Sequence, residues 1–161
     1  MKIHLPSYPR GVHNIHETLA ADELDLDPQV FTAPIDVHVT LDRHDPYLEF
    51  DVNLNTEITS QCDRCLVDYT WTLTADSPML YVLGRVPSGE TVDDPGICYL
   101  PANSADVDLT GDIRDQIMIA LPGKYLHRED CLGLCPGCGV DLNMQECTCG
   151  LSRDVSRREK V

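Results

Sequence analysis

IDVHVTLDRHDPYLEFDVNL, running from Ile35 to Leu54, is the stretch from which the fold can be read. Ile35, Val37, Val39 and Leu41 alternate with Asp36, His38 and Thr40. A period of two puts every apolar side chain on one face of an extended chain, so this run predicts a half-buried strand. Arg43-His44-Asp45-Pro46 is turn chemistry, and beyond it Leu48, Phe50, Val52 and Leu54 alternate with Glu49, Asp51 and Asn53. Two such runs joined by so short a connection predict an antiparallel hairpin with one buried face.

Working toward the C-terminus, Thr56 to Gln61 leads into Cys62, and Tyr69, Trp71 and Leu73 alternate beyond Cys65. A third strand is therefore expected, with Cys62-Asp63-Arg64-Cys65 at the tip between two strands. Pro78 to Leu83 predicts one more strand, at an edge, because proline has no N–H to give to a ladder. From Pro87 to Ser104 the chain is rich in Pro, Gly, Ser and Asp, and only Ile97 to Leu100 reads as extended, so a surface loop is expected. The period then changes. Leu109, Ile113, Ile117 and Leu121 fall at four-residue steps, with Met118 and Ala120 widening the stripe and Arg114, Asp115 and Gln116 outside it. Asp108 or Thr110 can cap this helix and Pro122-Gly123 ends it. A small sheet needs such a cover. The fold class expected is α+β: an antiparallel sheet or partial barrel covered by one amphipathic helix, with a C-terminal zinc-knuckle module. The divisions are a body over 1–126, a cysteine-rich module over 127–150 and a tail over 151–161.

The chain begins MKIHLPSYPR, without the apolar run of a signal peptide, and no segment approaches the roughly 18 apolar residues of a membrane span. A cytoplasmic protein is expected, with no membrane partner. In that reducing compartment eight cysteines point to metal or redox chemistry rather than to disulfides. Spacing favours metal. Cys135-Pro136-Gly137-Cys138-Gly139 has the composition of a zinc knuckle: two intervening residues let both sulfurs face one ion, and glycines let backbone amides approach them. Cys147-Thr148-Cys149 can close that tetrahedron. Cys62, Cys65, His127 and Cys131 make a second set, three cysteines and one histidine, provided the stretch from His127 to Cys131 forms a helical turn that puts both on one face. Two zinc ions per chain are expected.

Cys98 is left as a small, partly buried hydrophobe. His4, His13, His16, His38 and His44 lack ligand spacing to a cysteine and are read as surface or satisfied polar residues. A redox role for Cys62 and Cys65 would call for a strand-to-helix context, whereas this pair lies between strands. There is no phosphate loop, no HExxH pair and no nucleophile elbow, and both metal sets are filled by protein ligands, so no catalytic residue is assigned.

Twelve basic and 27 acidic residues give a net charge of −15. Such a field repels phosphate backbones and attracts basic proteins, so direct nucleic-acid binding by the body is not expected. The tail differs: Arg153, Arg157, Arg158 and Lys160 outnumber Asp154 and Glu159.

Several strings, in order and spacing, resemble the YceD family, bacterial and plastid proteins described as needed for accumulation of large-subunit ribosomal RNA. They are Cys62-Asp63-Arg64-Cys65-Leu66, Asp108-Leu109 with Ile113-Arg114, Ala120-Leu121-Pro122, and Cys131-Leu132-Gly133-Leu134-Cys135-Pro136-Gly137-Cys138-Gly139 with Asp141-Leu142-Asn143. The acidic tract beyond Pro87 and the tail carry no such signature. The resemblance implies a non-enzymatic role in the biogenesis or stability of the large ribosomal subunit. With the charge, it makes a basic large-subunit ribosomal protein, or a precursor particle displaying one, the expected partner. A zinc-ribbon adaptor in protein interactions, or a thiol redox protein, is the alternative.

Overall fold

The computed structural model describes residues 1–84 and 96–149. The chain forms two compact units, one of residues 1–58 and 71–121, the other of residues 59–70 and the chain from Pro122 on.

In the first unit the hairpin forms as its alternation requires. Strand β3 (Ile35–His44) pairs antiparallel with β4 (Tyr47–Gln61), with Val37 opposite Leu54, Val39 opposite Val52 and Leu41 opposite Phe50. All six are buried, which places the core on the face the apolar period marks. Thr56 to Gln61 is not a separate strand but the continuation of β4. Strand β5 (Asp68–Leu83) is likewise one long element, and it contains Pro78 to Leu83. That segment is not at an edge, because β6 (Ile97–Leu100) runs parallel beside it. The pairing begins at Leu80 opposite Ile97, past Pro78, so the missing proline N–H costs that ladder nothing.

On the other side β2 (Gly11–Leu19) pairs antiparallel with β3, and the sheet order is β2-β3-β4-β5-β6. The sheet is open and mixed. Strand β2 has no equivalent in the sequence reading because, as an edge, it buries only Leu19 fully and leaves Val12 exposed. A two-stranded ribbon of β1 (Lys2–His4) and β7 (Asp106–Asp108) also went unread, since three residues are too few to display a period.

Helix α1 (Thr110–Ala120) follows directly, and the Asp108 carboxylate accepts hydrogen bonds from the Thr110 N–H and hydroxyl at its start. Leu109, Ile113 and Ile117 are fully buried, and the Tyr81 hydroxyl donates to the Asp112 carboxylate, tying β5 to the helix. Met118 is a correction. It faces solvent, as does Ile119, so the buried stripe is narrower than expected, although Ala120 and Leu121 still pack against the core. The loop expected over Pro87 to Ser104 falls partly on residues 85–95, and the tail on 151–161, both outside the described residues. Among the described residues no helix is long and apolar enough to cross a membrane.

Candidate metal centres

Strand β4 ends at Gln61 and β5 begins at Asp68, and the six residues between them form a knuckle. The Cys62 N–H donates to the Val67 carbonyl at 2.9 Å and the Leu66 N–H to the Cys62 carbonyl at 2.9 Å. This turn holds Leu66 at φ +62°. Left-handed backbone costs a residue with a Cβ about 1–2 kcal/mol, so the turn carries strain at a position where glycine would carry none.

The knuckle then recruits the distant segment through its two middle residues. Asp63 exchanges a pair of bonds with Tyr125: its N–H donates to the Tyr125 carbonyl at 2.9 Å and its carboxylate accepts the Tyr125 N–H at 2.7 Å. Arg64 donates from its guanidinium to the Cys131 carbonyl at 2.8 Å and accepts the Leu134 N–H on its own carbonyl at 3.0 Å. Gly133, at φ +76°, packs so closely that a Cβ there would stand 2.9 Å from the Arg64 carbonyl oxygen. Together these contacts deliver His127 and Cys131 to the cysteines. The stretch from His127 to Cys131 is a turn closed by the Cys131 N–H on the Arg128 carbonyl at 3.2 Å, rather than a turn of helix.

Cys62, Cys65, His127 and Cys131 thereby place one ligand atom each within 4.8 Å of one another. The Cys62 and Cys131 sulfurs are 3.8 Å apart, and His127 Nδ1 is 3.4 Å from the Cys65 sulfur. A tetrahedral ion with bonds of about 2.3 Å to sulfur and 2.0 Å to nitrogen would set these edges near 3.8 and 3.5 Å. The three cysteines are buried, with Tyr69, Leu126 and Leu134 packed against them. Burial pushes the Cys62 thiol up, but hydrogen bonds from the His127 ring and from the His127, Cys65 and Arg64 backbone bring it down to about 5. Burial, with the neighbouring Cys62 and Cys131 sulfurs, pushes Cys65 up to about 11, against the pull of the Val67 backbone amide. Three thiols crowded together and buried cannot all ionise without a cation between them.

Cys135, Cys138, Cys147 and Cys149 form a second group of the same compactness. The knuckle repeats: the Cys135 N–H donates to the Val140 carbonyl at 2.8 Å, the Gly139 N–H to the Cys135 carbonyl at 2.9 Å, and Gly139 sits at φ +74°. Sulfur separations of 3.0 to 3.5 Å are far beyond a disulfide's roughly 2 Å. Backbone N–H groups of Cys138 and Gly137, then the Cys147 side chain, hold Cys135 down at about 6 despite its burial. Cys138 and Cys149 are exposed and Cys147 half-buried.

Cys98 joins neither group and is exposed on β6, a correction to the partly buried hydrophobe expected. Of the histidines without ligand spacing, His4 pairs with Asp106, His13 bonds the Pro9 carbonyl and His16 stacks on His38. Asn143 was missed as a supporting residue. Its side chain accepts from the Leu132 N–H and the Arg128 guanidinium and donates to the Cys131 sulfur at 3.5 Å. Its place in the Asp141-Leu142-Asn143 string was the one signal, because its Arg128, Cys131 and Leu132 partners lie across a loop. Both groups of four could hold a metal ion, and neither set of protein donors leaves a tetrahedral position open.

Comparison with known proteins adds a family. The family model described as "Large ribosomal RNA subunit accumulation protein YceD" matches residues 50–159, a span that contains both cysteine groups. The chain belongs to the YceD family. A curated relative, "Large ribosomal RNA subunit accumulation protein YCED homolog 1, chloroplastic" of Arabidopsis thaliana, is 26% identical over 141 residues, which are 73% of this chain and 44% of the relative. The chain thus spans less than half the length of that YceD relative. No solved structure matches the chain. The YceD family is described by accumulation of a large ribosomal RNA subunit rather than by a reaction.

Proposed function

We propose that this chain is a non-enzymatic, zinc-braced factor that supports assembly of the large ribosomal subunit and accumulation of its RNA. The observation that carries this reading is the YceD match over residues 50–159, which includes all eight residues of the two metal-ligand groups. Zinc suits the donors. Thiolate and imidazole in closed tetrahedral sets are its structural ligands: the separations among Cys62, Cys65, His127 and Cys131 match one ion, and the sulfurs of Cys135, Cys138, Cys147 and Cys149, at 3.0 to 3.5 Å, would spread toward about 3.8 Å around another. When bound, each ion supplies fold energy: the first ties the tip of a strand pair to a segment some sixty residues on, the second closes the C-terminal turn.

The partner is a basic large-subunit ribosomal protein, or a precursor particle displaying one. At −15 the chain attracts lysine- and arginine-rich surface and repels bare phosphate. It would hold such a protein in place of the RNA that has not yet covered it. The setting is cytoplasmic, where all eight cysteines remain free of disulfides as the structure has them. Two measurements test the reading. Elemental analysis of the reduced protein should give two zinc ions per chain. Purification from its own cells should bring large-subunit ribosomal proteins and precursor RNA with it, and recovery of neither would refute the assembly role.

A further inference from the structure

Charge divides unevenly between the two units. The first carries 19 acidic and 5 basic residues, a balance of −14, whereas the second carries 8 and 7, a balance of −1. The chain's −15 therefore resides almost entirely on the unit that holds the sheet.

Within that unit, strand alternation sorts the charge to one side. Along β4 every second residue from Leu48 to Ile58 is buried, and Glu49, Asp51, Asn53, Asn55 and Glu57 between them are all exposed. In β3, Asp36 and Asp42 point away from the buried Val37, Val39 and Leu41, and in β5 Asp76 points away from the buried Ser77. The register sets Asp36 beside Asn55 and Asp42 beside Glu49, so these side chains share one face of the sheet. Strands β2 to β6 contain one Lys or Arg, which is Arg43. It lies on the covered side, where the Asp45 carboxylate and the Leu5 and Tyr8 carbonyls take its guanidinium. Among the described residues, the carboxylates of Asp51, Glu57 and Asp76 pair with no cation.

A cleft of about 290 Å³ opens on the acidic face. Glu49 and Asp51 of β4 line it together with Pro78 and Leu80 of β5 and with Gly96. Two carboxylates beside an apolar wall suit a lysine or arginine side chain, whose aliphatic stem lies on the wall while its charged head meets an acid.

Spacing selects the occupant. Successive outward residues of one strand stand roughly 6.6 Å apart, too far for their carboxylates to share an ion. Among the described residues, the ligand sets that converge to within 4.8 Å are the two cysteine groups. A row of separate positive charges fits the face instead. A second copy would bring the same −14, and a phosphate backbone would be repelled.

We propose that the outward face of β3, β4 and β5 is a docking surface for a lysine- and arginine-rich polypeptide, with the cleft at Glu49 and Asp51 taking one basic side chain. This rests on the proposed binding of a basic ribosomal protein and names the face that performs it. Dispersed charge speeds encounter, and the cleft slows dissociation because the cation there is paired against an apolar wall.

The test uses the full chain, zinc-loaded, against individually purified basic proteins of the large subunit and against naked large-subunit RNA. Glu49→Gln with Asp51→Asn should weaken binding of the basic protein at least about tenfold. A control removes the same two charges from exposed positions on the segments that cover the other face, through Asp22→Asn with Asp115→Asn. It should leave the affinity within about twofold of the unmodified chain. Equal binding by the two double variants, whether both are weakened or neither is, would overturn the docking face while leaving the proposed function standing. If the unmodified chain binds no basic protein, or binds only RNA, the proposed function falls and this proposal with it.

Discussion

The turn from Cys62 to Val67 and the turn from Cys135 to Val140 close with the same hydrogen bonds and the same left-handed fifth residue, yet they stand in different surroundings. The first lies between two long strands, and its thiols are buried against Tyr69, Leu126 and Leu134. The second is flanked by a single bridge between Leu134 and Asp141, and two of the four cysteines of its group face solvent. The first draws its other two ligands from His127 and Cys131, whereas the second finds Cys147 and Cys149 a few residues on. With an ion in each group, one motif would serve as a long-range cross-link and as a local clasp. The difference is the loop each closes, because cross-linking a longer unfolded loop removes more chain entropy, although that gain grows slowly with length.

Complete removal of metal should have the largest effect on this contrast. A strong chelator is expected to strip the exposed Cys135 group first and the buried Cys62 group much later, giving two kinetic phases of zinc release, each worth one ion. A single phase would mean that the two clasps are not independent. Single-ligand changes come next. Cys62→Ser should lower thermal stability by several kcal/mol, because it breaks a buried set and the long cross-link together. Cys147→Ser should cost clearly less and raise hydrogen exchange mainly over residues 135–149. Equal melting temperatures for the two variants would break the comparison.

A smaller effect is expected where the two centres meet the backbone. Gly133→Ala should destabilise by about 1–3 kcal/mol, since the new Cβ would meet the Arg64 carbonyl oxygen and the site has φ +76°. The finest test exchanges the fifth residues. Leu66→Gly should stabilise the first knuckle by about 1 kcal/mol and Gly139→Leu should destabilise the second by a similar amount. Chemical denaturation of the zinc-loaded protein reads both, and a loss of stability in Leu66→Gly would show that the leucine side chain supports the fold.

How much of this was legible depends on how local the signal is. Period-two alternation over Ile35 to Leu54 prescribes a strand pair, and the register follows because a slip of one residue would turn Val37, Val39 and Leu41 to solvent. The four-residue step from Leu109 to Ile117 prescribes a helix. Two cysteines with two residues between them prescribe a knuckle, and counting ligands divided eight residues into the two sets that the fold brings together.

What the sequence by itself determined is thus the set of local periods and the ligand inventory, both of which act within a few residues. The tertiary structure alone decided that β6 runs parallel beside β5, that β1 finds β7, that Met118 faces out, and that residues 59–70 group with the chain from Pro122 on. It alone revealed that Leu66 holds a glycine's conformation and that Asp63, Arg64 and Asn143 position the cysteines. The physical reason is range. Periodicity is written by neighbours in the chain, whereas edge pairing, exposure and hydrogen bonds across some sixty residues depend on which surfaces meet once the chain has folded.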